Sequence, residues 1–191
     1  MRFCCYSVCL RPARQALSRV LTEISVNYLS LEGITVGETR LPFGASAFAI
    51  KKDGSGSGTV IDSGTGVTTF PTAVYEKLRS AFVAQVPLPV VVAAADSPEP
   101  VSDLCFSVAS AADAEKVPVP KLVFHLEGAD MDLPRENYMT VVDDGKLLCL
   151  MINGAGDDMT LIGNFQQQNM HIVYDVENSK LLFVPAHCDK L

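Results

Sequence analysis

No stretch of this chain is apolar for the roughly 18 residues that a membrane-spanning helix needs. A net basic charge is missing too: 15 basic residues against 22 acidic ones give a formal net charge of −7 and a pI near 4.9. That balance argues against a basic face for reading nucleic acid, so neither nucleic acid nor a membrane span is expected. There is no Cys-x-x-Cys pair and no Cys/His zinc spacing, so no metal and no other cofactor is expected. No Gly-x-Ser-x-Gly elbow accompanies His125, His171 and His187, which leaves a serine–histidine triad without support. The glycines of Gly54-Ser55-Gly56-Ser57-Gly58 lead into a strand rather than a helix, and no Gly-Lys-Ser/Thr follows them. They read as a hairpin tip and not as a phosphate cradle. Asp130-Met131-Asp132 and Asp157-Asp158 lack the ligand ladder of a calcium loop and read as solvated turns and strand edges.

What is present suits one globular domain with a short appendage: 191 residues, 48% hydrophobic and 19% charged. Residues 1–26 differ in texture from the rest. Arg2, Arg11, Arg14 and Arg19 all precede the first acid, Glu23. Phe3 to Leu10 has the length of a signal-peptide core but no small-x-small cleavage site, and Arg-rich, acid-poor segments also serve as transit peptides. The simplest expectation is an atypical tail or the remnant of a longer chain. Of six cysteines, Cys4, Cys5 and Cys9 sit in this segment, and Cys105, Cys149 and Cys188 lie beyond it. Disulfides are the better reading for that number, which implies an oxidising compartment. Cys105 and Cys149, each flanked by strand-like residues, form the natural pair.

From Asn27 the pattern is mostly β. Tyr28 to Val36 alternates apolar and polar residues up to a turn at Gly37-Glu38. Thr59-Val60-Ile61 is a short buried strand ending at Asp62. Thr72 to Val86 reads as the one solid helix, with Val74, Leu78, Phe82 and Val86 at four-residue spacing. Residues 87–103 read as a loop. Alternation predicts a strand over Leu122–Leu126. It also predicts hairpins pairing Tyr138–Val142 with Lys146–Ile152, and Met170–Tyr174 with Lys180–Val184. The expected class is mainly β with one main helix.

The residues with the clearest chemical potential are Ile61-Asp62-Ser63-Gly64-Thr65. An apolar strand delivers a carboxylate to a tight turn with hydroxyls on both sides, and Gly64 lets a backbone N–H approach. Donors aimed at a carboxylate hold its oxygens and favour the ionised form, and such a group can poise a water molecule. A plain Asp-Ser-Gly turn remains the alternative.

The surroundings add a resemblance. Ile61-Asp62-Ser63-Gly64-Thr65 resembles the second active-site motif of pepsin-like aspartic proteases, and Leu161-Ile162-Gly163-Asn164-Phe165 resembles the segment packed beside it. Leu31 to Gly37, Met131 to Tyr138 and the ending from Ile162 to Cys188 are similar to plant nepenthesin-type proteases. The resemblance implies that residues 27–191 are the C-terminal lobe of a bilobal fold, also seen in xylanase inhibitors. It implies that Asp62 is catalytic and that Ser63 bonds across to the other lobe. It further implies that Gly64 and Thr65 donate to the carboxylate, and that Cys105 and Cys149 are bridged. Cys188 resembles a cysteine that pairs with the first lobe, and Cys9 is a candidate partner for it. The expected partners are a polypeptide substrate and either a first protease lobe or a second copy of the chain, because only one Asp-Ser/Thr-Gly is encoded. Three functions follow as expectations: a half-enzyme, a non-catalytic binding module, and a symmetric homodimeric protease. The expected location is extracellular or vacuolar.

Overall fold

The structure is a computed structural model that describes residues 27–44, 46–51, 57–91, 102–156, 158–175, 178 and 180–186. The segment 1–26 lies outside the described residues, as do most of the Gly54–Gly58 tip, Asp157, His187 and the Cys9–Cys188 candidate pair.

β1 (Asn27–Leu29), β2 (Leu31–Val36) and β3 (Thr39–Arg40) come first. β4 (Ser57–Ile61) and β5 (Thr68–Pro71) flank the Asp62 turn and lead into α1 (Thr72–Gln85). There follow β6 (Val90–Val91), β7 (Cys105–Ser107), the short α2 (Ala111–Lys116), β8 (Leu122–Leu126) and β9 (Ala129–Leu133). After a 3-10 turn at Arg135–Asn137 come β10 (Met139–Val142) and β11 (Leu147–Leu150). The chain continues through β12 (Ile152–Ala155), β13 (Asp158–Ile162), α3 (Asn164–Gln167), β14 (Met170–Asp175) and β15 (Lys180–Pro185). The strands form sheets in the orders β1-β4-β13-β5-β12, β3-β2-β8-β9 and β10-β11-β7-β6, with β14-β15 as a separate hairpin. The fold is mainly β with one main helix and short helical turns.

β4 is an inner strand of the five-stranded sheet, and all five of its residues are buried. Its sequence is therefore a run without alternation, as both faces are covered. α1 buries Val74, Tyr75, Leu78 and Phe82, with Val86 buried just beyond its end. The helix stops at Gln85 because Val86 is extended (φ −86°, ψ 117°), the conformation that Pro87 imposes on its predecessor. Phe70 meets Phe124 edge-on at 5.6 Å, joining the five-stranded sheet to the β3-β2-β8-β9 sheet.

Four local expectations need correction. Tyr28 to Val36 is not one strand: Leu29 pairs with Thr59 while Leu31 pairs with Leu126, so the chain changes sheets at Ser30. Lys146 to Ile152 is also split, because β11 ends at Leu150 and Ile152 starts a strand parallel to β5. Residues 87–103 are not all loop: Val90 and Val91 pair with Phe106 and Cys105. α2 was not expected, and Ser110 caps it by accepting from the Asp113 N–H at 3.2 Å.

Candidate active site

Asp62 follows β4 directly, and its backbone is tied to β13. The Asp62 N–H donates to the Ile162 carbonyl at 3.0 Å, continuing the parallel β4–β13 ladder by one residue. The turn after Asp62 is then held by the start of α3. Asn164 N–H donates to the Thr65 carbonyl at 2.6 Å, and Phe165 N–H donates to the Gly66 carbonyl at 3.0 Å. Asn164 Nδ2 donates to the Ser63 carbonyl at 3.3 Å. These bonds need the two segments to touch. A Cβ on Gly163 would lie 2.8 Å from the Val67 carbonyl carbon and 2.9 Å from Thr68 N, so the crossing requires glycine.

Within this frame the carboxylate is gripped on both oxygens. Gly64 N–H donates to Oδ1 at 2.8 Å, and the Thr65 hydroxyl donates to Oδ2 at 2.7 Å. The Thr65 bond first, then the Gly64 bond, hold Asp62 below its ordinary pKa of 3.8; slight burial opposes them weakly. Asp62, Ser63 and Gly64 are exposed. The result is an oriented, ionised carboxylate that faces solvent.

Behind the turn lies a buried polar knot to which sequence reasoning gave no role. Gln166 is fully buried. It accepts from the Thr68 hydroxyl and donates to the carbonyls of Asn137 at 3.0 Å and Met151 at 2.9 Å. Gly163 N–H donates to the same Thr68 hydroxyl at 2.8 Å. A buried amide with these bonds satisfied fixes α3, and α3 fixes the Asp62 turn. No sequence signal pointed to it, because Gln166 opens the polar run Gln166-Gln167-Gln168-Asn169 and nothing in that run marks it as the buried one.

The other candidate residues lie elsewhere. Cys105 and Cys149 are register partners on β7 and β11 and form a disulfide, with S–S at 2.07 Å and Cα–Cα at 4.0 Å. Asp132 pairs with Lys121 at 2.7 Å. Among the described residues no group of three or more His, Cys, Asp or Glu is arranged to hold a metal, and no helix is long and apolar enough to cross a membrane. A cavity of about 300 Å³ lies between the Phe43–Ala49 loop and the first turns of α1, and Asp62 does not line it.

A family model described as "Xylanase inhibitor C-terminal" matches residues 27–185. The chain belongs to that family. Its relatives include "Aspartic proteinase nepenthesin-1" of Nepenthes gracilis, 40% identical over 84% of this chain and 35% of that protein. "Aspartyl protease family protein 2" of Arabidopsis thaliana is 38% identical over 84% of this chain and 32% of that protein. This member of the family thus spans about a third of the length of the relatives it matches, and it corresponds to the C-terminal lobe of a plant pepsin-like protease. The fold agrees: a crystal structure described as edgp superposes with a TM-score of 0.70 at 18% identity, covering 94% of this chain and 45% of that one. Conglutin gamma, a basic 7S globulin from lupine seeds, gives a TM-score of 0.67 at 18% identity, covering 90% and 40%.

Proposed function

We propose that this chain supplies one of the two carboxylates of an aspartic endopeptidase and works when a first lobe brings the other. Residues 27–191 act as the C-terminal lobe, and residues 1–26 are an appended segment. The observation that carries this reading is the grip on Asp62, which orients an exposed carboxylate and favours its ionised form.

Aspartic proteolysis needs two roles at once. Two carboxylates about 3 Å apart cannot both ionise, so they share one proton. The ionised member takes a proton from the attacking water, and the protonated member hydrogen-bonds the scissile carbonyl. Asp62, held ionised by Gly64 and Thr65, suits the base in that exchange, and the pair titrates as a unit. Ser63 is exposed beside it and free to bond across the junction. Among the described residues no carboxylate is hydrogen-bonded to Asp62, and general acid–base assistance is typically worth about 10²- to 10⁴-fold.

Apolar exposure on the β14–β15 hairpin supports a partner lobe. Val173, Tyr174 and Val184 stand exposed on the β14–β15 hairpin. Partial burial of its ring, and secondarily the charge of Asp62, raise the pKa of the Tyr174 hydroxyl. The Cys105–Cys149 disulfide fits the oxidising extracellular or vacuolar setting proposed for the protein.

The test is peptide cleavage from about pH 3 to about pH 6, with and without pepstatin, by the chain alone and with a separately produced N-terminal lobe. Pepstatin-sensitive cleavage only in the mixture, abolished by Asp62→Asn, is the expected result. Cleavage by the chain alone that rises with its dimer fraction supports a symmetric pair instead. A rate untouched by Asp62→Asn overturns both. The description of the matching family favours a second reading, a binding module that captures a glycoside hydrolase. Tight xylanase binding together with no cleavage in either assay supports it.

A further inference from the structure

A second array of chemically competent groups lies on the β3-β2-β8-β9 sheet, which Asp62 and its strand do not join. Thr35 Oγ1 stands 2.7 Å from His125 Nε2, and His125 Nδ1 stands 2.7 Å from Asp130 Oδ1. One group comes from each of β2, β8 and β9. His125 opposes Asp130 across one ladder and Gly33 across the other, so these positions share one face of the sheet. Arg40 covers the same face. It is the register partner of Thr35, and a Cβ on Gly33 would lie 2.8 Å from Arg40 Nη2. The side chains of His125 and Asp130 are 17% and 61% exposed, so solvent and small solutes reach the array.

The order of these groups has a chemical meaning. A carboxylate on Nδ1 holds the ring's proton there, which leaves the Nε2 lone pair to accept from the Thr35 hydroxyl. An imidazole so placed can take a hydroxyl proton while the oxygen attacks an electrophile.

We propose that Thr35, His125 and Asp130 form a hydroxyl–imidazole–carboxylate relay that makes Thr35 an acceptor of small acyl groups from activated esters. Thr35 Oγ1 bonds to the ester carbonyl carbon as its proton passes to His125 Nε2. The carbonyl oxygen becomes an oxyanion on the face that the Arg40 guanidinium covers. Collapse breaks the bond to the leaving alcohol or phenol, which carries away the imidazolium proton. The products are an O-acyl threonine and the free alcohol or phenol. Small acyl groups are favoured because Thr35 is half-buried and its other register partner, the buried Val123, occupies the adjoining position on that face. The proposal is independent of the role of Asp62.

The test treats the full chain with p-nitrophenyl acetate, follows release of nitrophenolate and maps the acetyl group by peptide mass spectrometry. The expected result is acetyl on Thr35 itself in the unsubstituted chain. Thr35→Val and His125→Gln are expected to lower the release rate by about 10²-fold or more. Asp132→Asn, which breaks the neighbouring Lys121 pair, leaves the rate at the unsubstituted value. Thr35→Val keeps the β-branched shape, and the mapping needs no variant to fold. Acetyl found only on lysines or on the imidazole, or Thr35→Val reacting at the full rate, overturns the proposal.

Discussion

Gly64 and Thr65 each donate to a different oxygen of Asp62, and each donor acts on the ionised form. Replacing Thr65 by Val removes the larger contribution, so the Asp62 pKa is expected to rise toward its ordinary 3.8. A carbon-detected NMR titration of the carboxyl reads this directly, and an unchanged pKa contradicts it. The sign of the linkage follows. A pKa lowered by folding contributes stability that is present above the ordinary carboxylate value and is lost as pH falls through the folded one. Asp62 is exposed, so solvent screens this contribution and melts of Asp62→Asn should differ little from those of the unsubstituted chain. Gly163→Ala is a harsher change. Its Cβ meets backbone at 2.8 Å, and overpacking of that kind costs typically about 1–3 kcal/mol, measurable by urea unfolding.

Among the elements, β7 and β11 are joined covalently through Cys105 and Cys149, which are 44 residues apart. In the chain-entropy model that crosslink contributes about 4 kcal/mol. The double variant Cys105→Ser/Cys149→Ser is expected to lose about that much in denaturant unfolding. Ser110→Ala removes the cap of α2 and should cost about 1 kcal/mol in the same assay. Elements whose cause is local were legible in the sequence. α1 follows from its four-residue apolar spacing. The β10–β11 hairpin follows from Asp143, Asp144 and Gly145, which accept positive φ of 52°, 50° and 91°. What was not legible depends on distant partners. The alternation from Tyr28 to Val36 runs unbroken past Ser30, and only the identity of each partner strand reveals the change of sheet. α2, with six residues, is too short to show a period. The Asp62 turn was readable because Ser63, Gly64 and Thr65 are its neighbours. Gln166 was not, since its partners Thr68, Asn137 and Met151 lie on other elements. His125 was readable only as the outward residue between Phe124 and Leu126. The Thr35 hydroxyl that it meets lies 90 residues earlier.

For the whole molecule, the exposed Val173 and Val184 mark where a first lobe is proposed to rest. Burying a valine side chain contributes roughly 1.5–3 kcal/mol, so Val173→Ser/Val184→Ser should weaken capture of an N-terminal lobe by at least about tenfold. Isothermal titration calorimetry checks this, and unchanged affinity moves the contact elsewhere. The double variant should leave the melting temperature near that of the unsubstituted chain, since neither side chain belongs to the buried core.

The anchoring of the Asp62 turn sets an order of events during synthesis. The Ser63 carbonyl meets its partner on Asn164 only across 101 residues, and the Asp62 amide must await Ile162. A nascent chain therefore has only the Gly64 and Thr65 donors on this acid, without the β13 and α3 anchors, until about a hundred further residues have left the ribosome. An arrest peptide placed ahead of β13 would hold the protein in that state, with the carboxylate translated but its turn not yet tied to the strand beside it.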